Sequence, residues 1–505
     1  MKFGRRTLLK FASLAVVSAH PKAFASEPTS ALYDVIIVGG GGAGLSAAAH
    51  LAAGGKRVLL LEKTKEIGGS TKIASGQWAA SGTKLQKLLE IEDSEELFVK
   101  DMMDVGEGFN SEALVKSFVA QSSKELAWIE ARGVSPTSIM ANAGMSVPRA
   151  HFFNPEDLIR VYRTECDKLG VRIETENPVI RLEKNSAGVV DTVIIKKGRS
   201  EYKVRAKDGI VLATGGFGRN VRMLRKYSPT SSKATPLCAE GCTGDGIILA
   251  QSLGADLDNM SFVKPTYGFL TYPENLNAKS SSFYAGGIVV NQEGFRFVRE
   301  NASYKEIGEA ALQQSNGKSF IILDERARKL ALRTDPREKD YMADPTDIKH
   351  GFSANNLRDL AVKSGINPEN LERTVKQYNE TAPNGTDSLG RDTLTFKFGK
   401  PFALLTPPFI ALPATSALLT TYCGLCINEK MQVLDVFEKP IPGLYAIGEI
   451  AAGIHGKKCH VRKRFCQSFL HGFISRKQFA QRNKCESLKD FCFPPLSLCL
   501  LHRAH

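Results

Sequence analysis

The chain has 505 residues, 43% of them hydrophobic, enough to bury a large core and normally to make two or more domains. Its formal charge of +14 invites a nucleic-acid reading, but the excess is terminal: five Lys/Arg precede residue 26 without an acid, and eleven face only Glu486 and Asp490 after residue 456. Residues 26–456 are neutral, so charge gives no argument for a polyanionic partner, and the apolar segments beyond the N-terminus are too short for a stable helical membrane span.

The first 25 residues read as a targeting segment. Gly4-Arg5-Arg6-Thr7-Leu8-Leu9-Lys10 resembles a twin-arginine export motif, Phe11 to Ala19 is a short apolar core, and Ala23-Phe24-Ala25 is a small-x-small cleavage site. The core is too short to anchor the chain in a bilayer, so the expectation is passage through the twin-arginine translocase and a periplasmic location.

The stretch Tyr33 to Glu62 organises the rest of the chain. Val35 to Val38 is an apolar run suited to a parallel strand buried on both faces, and Gly39, Gly41 and Gly44 give G-x-G-x-x-G directly behind it. The first glycine permits a tight turn, the second a close approach of backbone to pyrophosphate, and the third close packing of the helix Leu45 to Ala53. The helix N-terminus offers N–H groups to that anion. Arg57 to Leu61 is a second strand, and Glu62 closes it about 20 residues after the glycines, where an acid bonds the adenosine ribose.

Lys63 to Thr83 then carries E-K-x-x-x-x-G-G-S-T and A-S-G, which resembles the FAD-binding signature of the fumarate reductase, flavocytochrome c and ketosteroid dehydrogenase flavoproteins. Further matches occur in family order: A-T-G-G-F-G at Ala213, T-G-D-G at Thr243, V-N-x-E-G-x-R-F at Val290 and I-P-G-L-Y-A-I-G-E at Ile441. The resemblance implies FAD, bound non-covalently because no flavin-attaching histidine can be placed. Its contacts carry over to Gly39, Gly41, Gly42, Ala43, Gly44, Glu62, Lys63, Gly69, Ser70, Thr71, Ala74, Ser75, Gly76, Val179, Thr214, Gly215, Gly216, Asp245, Gly448 and Glu449. Export of a folded chain suits a protein that loads FAD before it leaves the cytoplasm.

Helical periodicity covers Glu95 to Met103, Ser111 to Ala131 and Asp157 to Leu169. Short strands come next at Val171 to Thr175, Val179 to Leu182, Val189 to Ile195 and Tyr202 to Ala206, then a buried strand at Gly209 to Ala213. Arg149-Ala150-His151 resembles a family R-x-H but lacks the glycine loop after it, and is assigned no role. The expected architecture is α/β: a Rossmann-like FAD-binding domain from two discontinuous segments, residues 26–263 and 421–456, with an α+β capping domain, 264–420, inserted between them. Helices at Tyr304 to Gln313 and Ala354 to Ser364, and a strand at Ser319 to Leu323, belong to the cap, with turns at Pro383-Asn384-Gly385 and Pro401 to Pro408.

In fumarate-reducing members, N5 of reduced flavin gives a hydride to one alkene carbon and a cap arginine protonates the other, while His and Arg hold the carboxylates. Here the His before Pro-Thr corresponds to Lys264, the proton-donating Arg to Tyr304, and the His of H-T-x-G-G to Thr420. The resemblance therefore implies a small unsaturated acid other than fumarate, with Tyr304 as proton donor and Lys264 as carboxylate or carbonyl partner. Urocanate-reductase-like relatives also carry Tyr at that position. With no C-x-x-C-H in the chain, electrons must come from a separate cytochrome or quinol-linked donor. Cys423-Gly424-Leu425-Cys426 lies in a strand-like stretch and reads as structural, so no metal is expected. Two other readings remain: the same flavin chemistry run backwards, as a dehydrogenase, and a non-functional product.

The last arises from the tail. Residues 457–505 are basic and hold five of the ten cysteines, and relatives continue after Gly456 with a form of A-N-R-x-G-G-N-A. Deleting one A from codons for Lys457 and Lys458 restores Asn and Gly at the family spacing, so a one-base insertion is the expectation there, against a divergent tail.

Overall fold

A computed structural model describes residues 33–141, 144–273, 278–395 and 399–456. The expected export signal, and the C-terminal tail with its expected frame change, lie outside the described residues.

The apolar run at the N-terminal end forms β1 (Tyr33–Val38), whose last four residues are all buried, as a strand covered on both faces requires. α1 (Gly42–Ala53) begins three residues before the apolar periodicity does, directly out of the glycine turn. Its residues Gly42 to Leu51 are all buried, because Gly and Ala let the helix lie close on the sheet. β2 (Val58–Leu61) runs parallel to β1, with Val35 opposite Val58 and Val38 opposite Leu61.

α2 (Glu95–Gly106) and α3 (Glu112–Glu130) start at Ser94 and Ser111, whose hydroxyls accept from the Leu97 and Leu114 N–H groups. α4 (Pro155–Lys168) is capped by Asn154 with proline in its first turn, and packs on α1. β3 (Arg172–Glu174) extends the sheet beyond β2.

The two strands expected at Tyr202 to Ala206 and Gly209 to Ala213 are one 13-residue strand, β4 (Ser200–Leu212). Its first part pairs antiparallel with Val190–Lys197 and its second part parallel with β1. The partner changes between Arg205 and Ala206, and Lys207-Asp208, where the apolar pattern breaks, falls at an irregularity in the pairing with β1. Gly209 takes φ +137° and passes the Gly443 carbonyl so closely that a Cβ would stand 2.6 Å from its oxygen. α5 (Asp245–Gln251) comes next.

A second sheet then forms from β5 (Thr266–Leu270), β6 (Ile288–Asn291), β7 (Ser319–Leu323) and β8 (Phe409–Leu418). β8 pairs antiparallel with both β5 and β7, and β7 with β6. α6 (Tyr304–Leu312) lies on β5 and β8 and begins with a capping box, in which Ser303 and Glu306 satisfy each other's N–H groups. This part has its own apolar core, including Ile288, Ile307, Ile322 and Leu412.

The chain returns as β9 (Pro440–Ala446), parallel to β4 with Leu444 opposite Ile210. The parallel order is thus β9-β4-β1-β2-β3, drawn from both sides of the second sheet in sequence. All their carboxyl ends face one way, which is where open α/β sheets bind ligands. Among the described residues no helix is long and apolar enough to cross a membrane.

Candidate active site

Beyond those carboxyl ends lies a cleft of about 890 Å³, a size suited to a cofactor. The glycine turn supplies Gly39, Gly41, Gly42 and Ala43, the end of β2 supplies Glu62 and Lys63, and the short helix Gly69–Lys72 supplies Gly69, Ser70 and Thr71. Val179, Thr214, Gly215, Asp245 and Glu449 complete the expected residues that meet there.

The remaining expected cofactor residues stand outside the wall. Gly44 lies under the turn, where a Cβ would be 1.9 Å from the Gly39 carbonyl oxygen, so its role is helix–turn packing. Gly76 packs as tightly on the Phe153 carbonyl, and Ala74 and Ser75 belong to the loop leading to it. Gly216 leaves room for Thr421 Oγ1 and Glu449, and Gly448, at φ +74°, turns the backbone that presents Glu449.

Hydrogen bonds set the polar lining. Glu62 Oε2 accepts from the Gly40 N–H at 2.7 Å, and its Oε1 accepts from the Thr64 N–H at 2.8 Å and hydroxyl at 2.9 Å. Oε2 keeps a lone pair, so the acid that fixes the turn can also accept from a ribose hydroxyl. Lys63 Nζ donates to Asp245 at 2.5 Å and to Thr243 at 2.5 Å, tying β2 to α5. Glu449 is held by the Thr421 N–H at 2.8 Å.

Two observations test the fit to FAD. A Cβ on Gly41 would meet nothing within 4 Å, so the α1 N-terminus opens onto space an anionic pyrophosphate can fill. The buried Thr214 Oγ1, on the cleft wall, has no hydrogen-bond partner among the described residues and suits a polar cofactor atom. The residues fit: Gly41 to Ala43 would hold the pyrophosphate, Glu62 the ribose, and Thr214 and Gly215 the flavin end.

The expected chemical residues stand outside the cleft wall, Lys264 just before β5, Tyr304 at the start of α6 and Thr420 just after β8. Lys264, just before β5, gives its ammonium to Glu309 on α6 at 2.6 Å, so it is a paired cation rather than an open one. Tyr304, the first residue of α6, is half-buried, with the Lys279 ammonium 5.1 Å and the Lys305 ammonium 5.3 Å from its ring centre. Thr420 is buried and donates to the Thr421 carbonyl.

Sequence reasoning missed Lys305. It is 5% exposed, and its Nζ donates to the Lys264 carbonyl at 3.0 Å and to Thr266 Oγ1 at 2.6 Å. The available signal was electrostatic: a lysine in the first turn of a capped helix faces the positive end of the helix dipole, where cations are disfavoured.

Other titratable residues settle as structural. Arg149 is fully buried between Asp93 and Asp101, and burial lowers the pKa of its neighbour His151. Burial pushes the Cys426 thiol up to about 12 and Cys423 higher still, which disfavours the thiolate at both, and no metal-ligand cluster occurs among the described residues.

Comparison with known proteins agrees with this construction. Residues 34–458 match the FAD binding domain family. A cytochrome-type fumarate reductase from Shewanella frigidimarina is 31% identical over 446 residues, 87% of this chain and 75% of that one. A urocanate reductase from Eggerthella lenta is 27% identical over 85% of this chain and 71% of its own length. The open conformation of a flavocytochrome c3 fumarate reductase superposes with TM-score 0.76 at 27% identity, covering 90% of this chain and 78% of that one. A 3-ketosteroid-Δ4-(5α)-dehydrogenase from Rhodococcus jostii RHA1 superposes with TM-score 0.71 at 25% identity, covering 92% and 99%. This chain therefore belongs to the FAD binding domain family and is an FAD-dependent oxidoreductase of the fumarate reductase kind, acting on C=C bonds.

Proposed function

We propose that the protein reduces the activated C=C bond of an unsaturated acid other than fumarate, in the periplasm, with electrons from a separate cytochrome or quinol-linked donor. What carries this reading is the pattern that the resemblance implies: Lys264, Tyr304 and Thr420 take the positions of His, Arg and His in fumarate reducers.

FAD held by Gly41 to Ala43, Glu62, Thr214 and Gly215 would supply the hydride chemistry for one alkene carbon. The Tyr304 O–H gives its proton to the other carbon, completing the CH–CH product, and the phenolate regains a proton from water between turnovers. Lys264 exchanges Glu309 for the substrate carboxylate, which places the acid beside Tyr304. α6 and the sheet beneath it keep bulk water from the reacting carbons.

Anaerobic mixing of dithionite-reduced holoprotein with a panel of unsaturated acids tests the reading through the return of flavin absorbance. Reoxidation by an acid bulkier than fumarate, faster than by fumarate, is the expected result; fumarate as the fastest oxidant would sink it. The structural likeness to the ketosteroid dehydrogenase supports a second reading, in which a C=C bond is introduced. That direction is revealed by bleaching of oxidised flavin on adding a saturated ketosteroid or acid.

A further inference from the structure

Tyr304 is a poor acid at its ordinary pKa of about 10, so a reductase that relies on it needs a device to loosen its proton. Burial works the wrong way: it pushes Tyr284, whose ring neighbours Tyr304, well above that value. A nearby cation works the right way, because it favours the phenolate.

We propose that Lys305 is the positioning residue that keeps the Tyr304 phenol acidic, its ammonium fixed beside the ring by the Lys264 carbonyl and the Thr266 hydroxyl. The inference rests on the reading of Tyr304 as proton donor and adds the residue that makes this reading chemically workable.

The geometry supports it from three sides. Lys305 is buried, so its charge is little screened by solvent, and its Nζ stands 5.3 Å from the Tyr304 ring centre. Its two oxygen acceptors lie at 3.0 Å and 2.6 Å, both at the start of β5, so the ammonium is pinned across the helix–strand contact rather than free to swing away. Its far side meets the Tyr422 ring at 5.4 Å, and Tyr422 adjoins Thr421, which holds Glu449 on the cleft wall. Lys305 thus meets the cleft wall only indirectly, through Tyr422, Thr421 and Glu449.

Among the described residues, other charged and titratable groups lie near this spot. Lys279 adds a second ammonium 5.1 Å from the ring, on the chain leading into the turn Ser282–Ala285 that carries Tyr284. On α6 itself, Glu306 accepts from the Ser303 N–H, and Glu309 is paired with Lys264 as long as no substrate carboxylate displaces it. Lys233 closes the turn Ser231–Lys233 against α6 but is exposed, and His455 lies behind Tyr422 with its ring 5.8 Å away. The named cations nearest the phenol are therefore Lys305 and Lys279, and of these Lys305 is the more buried.

The test reads the phenol directly and needs no substrate. Phenolate absorbance is titrated in FAD-loaded protein, and the Tyr304→Phe trace is subtracted to isolate Tyr304. The isolated step is expected below the ordinary tyrosine range, to rise by about one pH unit or more in Lys305→Met, and to return toward the wild-type value in Lys305→Arg. Lys305→Gln, which still donates to both oxygens without the charge, is the second neutral variant and is read in the same way. An unmoved Tyr304 step in the neutral variants overturns the inference. Turnover is scored separately: a fully active Tyr304→Phe enzyme would remove Tyr304 from the chemistry, whereas an inactive Tyr304→Phe enzyme together with an unmoved Tyr304 step in the Lys305 variants would discard Lys305 alone.

Discussion

Gly41 and Gly44 stand three residues apart in one motif, yet they do different work, and the difference can be measured. Gly41 sits at φ −73°, where alanine is unstrained, and its missing side chain leaves open cleft. Gly41→Ala should fold with an unchanged melting temperature but bind FAD at least tenfold more weakly, about 1.4 kcal/mol. Gly44→Ala must displace the Gly39 carbonyl and should cost about 1–3 kcal/mol of stability before any ligand is added. Equal effects on stability from the two would refute this division. Tyr304 is the corresponding residue for chemistry: Tyr304→Phe should lower kcat by about 10²-fold or more if the phenol is the general acid. Lys264→Met should act mainly by raising KM, since a carboxylate partner contributes to binding; a loss confined to kcat would argue instead for a role in the proton step.

The elements divide by how local their causes are. The unit of β1, glycine turn, α1 and β2 was legible because apolar runs, glycine spacing and the closing acid all act within 30 residues. Strand β7 was read to the residue, and the helices around 95–130 to within a turn, because their apolar residues recur at helical spacing. β4 was split in two because the polar pair Lys207-Asp208 interrupts its apolar pattern, and no local signal says that one strand serves two neighbours. The pairing of Lys264 with Glu309, 45 residues on, and the burial of Lys305 were invisible for the same reason: α6 meets β5 only in the folded chain. Glu338, in the turn Pro336–Glu338, is another product of such packing. Burial pushes its carboxyl up to about 7 from 4.5, although the Ser280 hydroxyl at 3.0 Å and the Ser281 N–H at 2.8 Å bond to it. A raised folded-state pKa means that the folded chain holds this proton more tightly than the unfolded one. The associated stability is complete below pH 4.5 and is lost as pH rises to about 7, amounting to about 3 kcal/mol. Glu338→Gln should flatten that slope in denaturant titrations between those pH values; an unchanged slope would show that the carboxyl titrates normally.

At the scale of the whole molecule, the cleft is where chain segments distant in sequence are joined. Gly39 to Ala43, Glu62 to Thr71, Val179, Thr214, Asp245 and Glu449 line one space, and Glu449 reaches it only after the chain has built a second sheet and returned as β9. That the sequence pointed to one site spread over such a length came from motif order, since no periodicity connects residue 62 to residue 449. FAD bound across these pieces should therefore act as a cross-link that holds the native chain and has no counterpart in the unfolded one. If it is held without a covalent bond, stabilisation obeys mass action, about 2.7 kcal/mol at a free concentration 100 times Kd. Removing FAD by dialysis should lower the melting temperature, adding it back should restore it in proportion to the logarithm of concentration, and acid precipitation should leave a yellow supernatant. The mutation Gly41→Ala should shift the same curve to higher FAD concentration without changing the melting temperature of the apoprotein. Covalent attachment would leave the colour in the acid pellet and make melting independent of added FAD, and either result would overturn the non-covalent assignment.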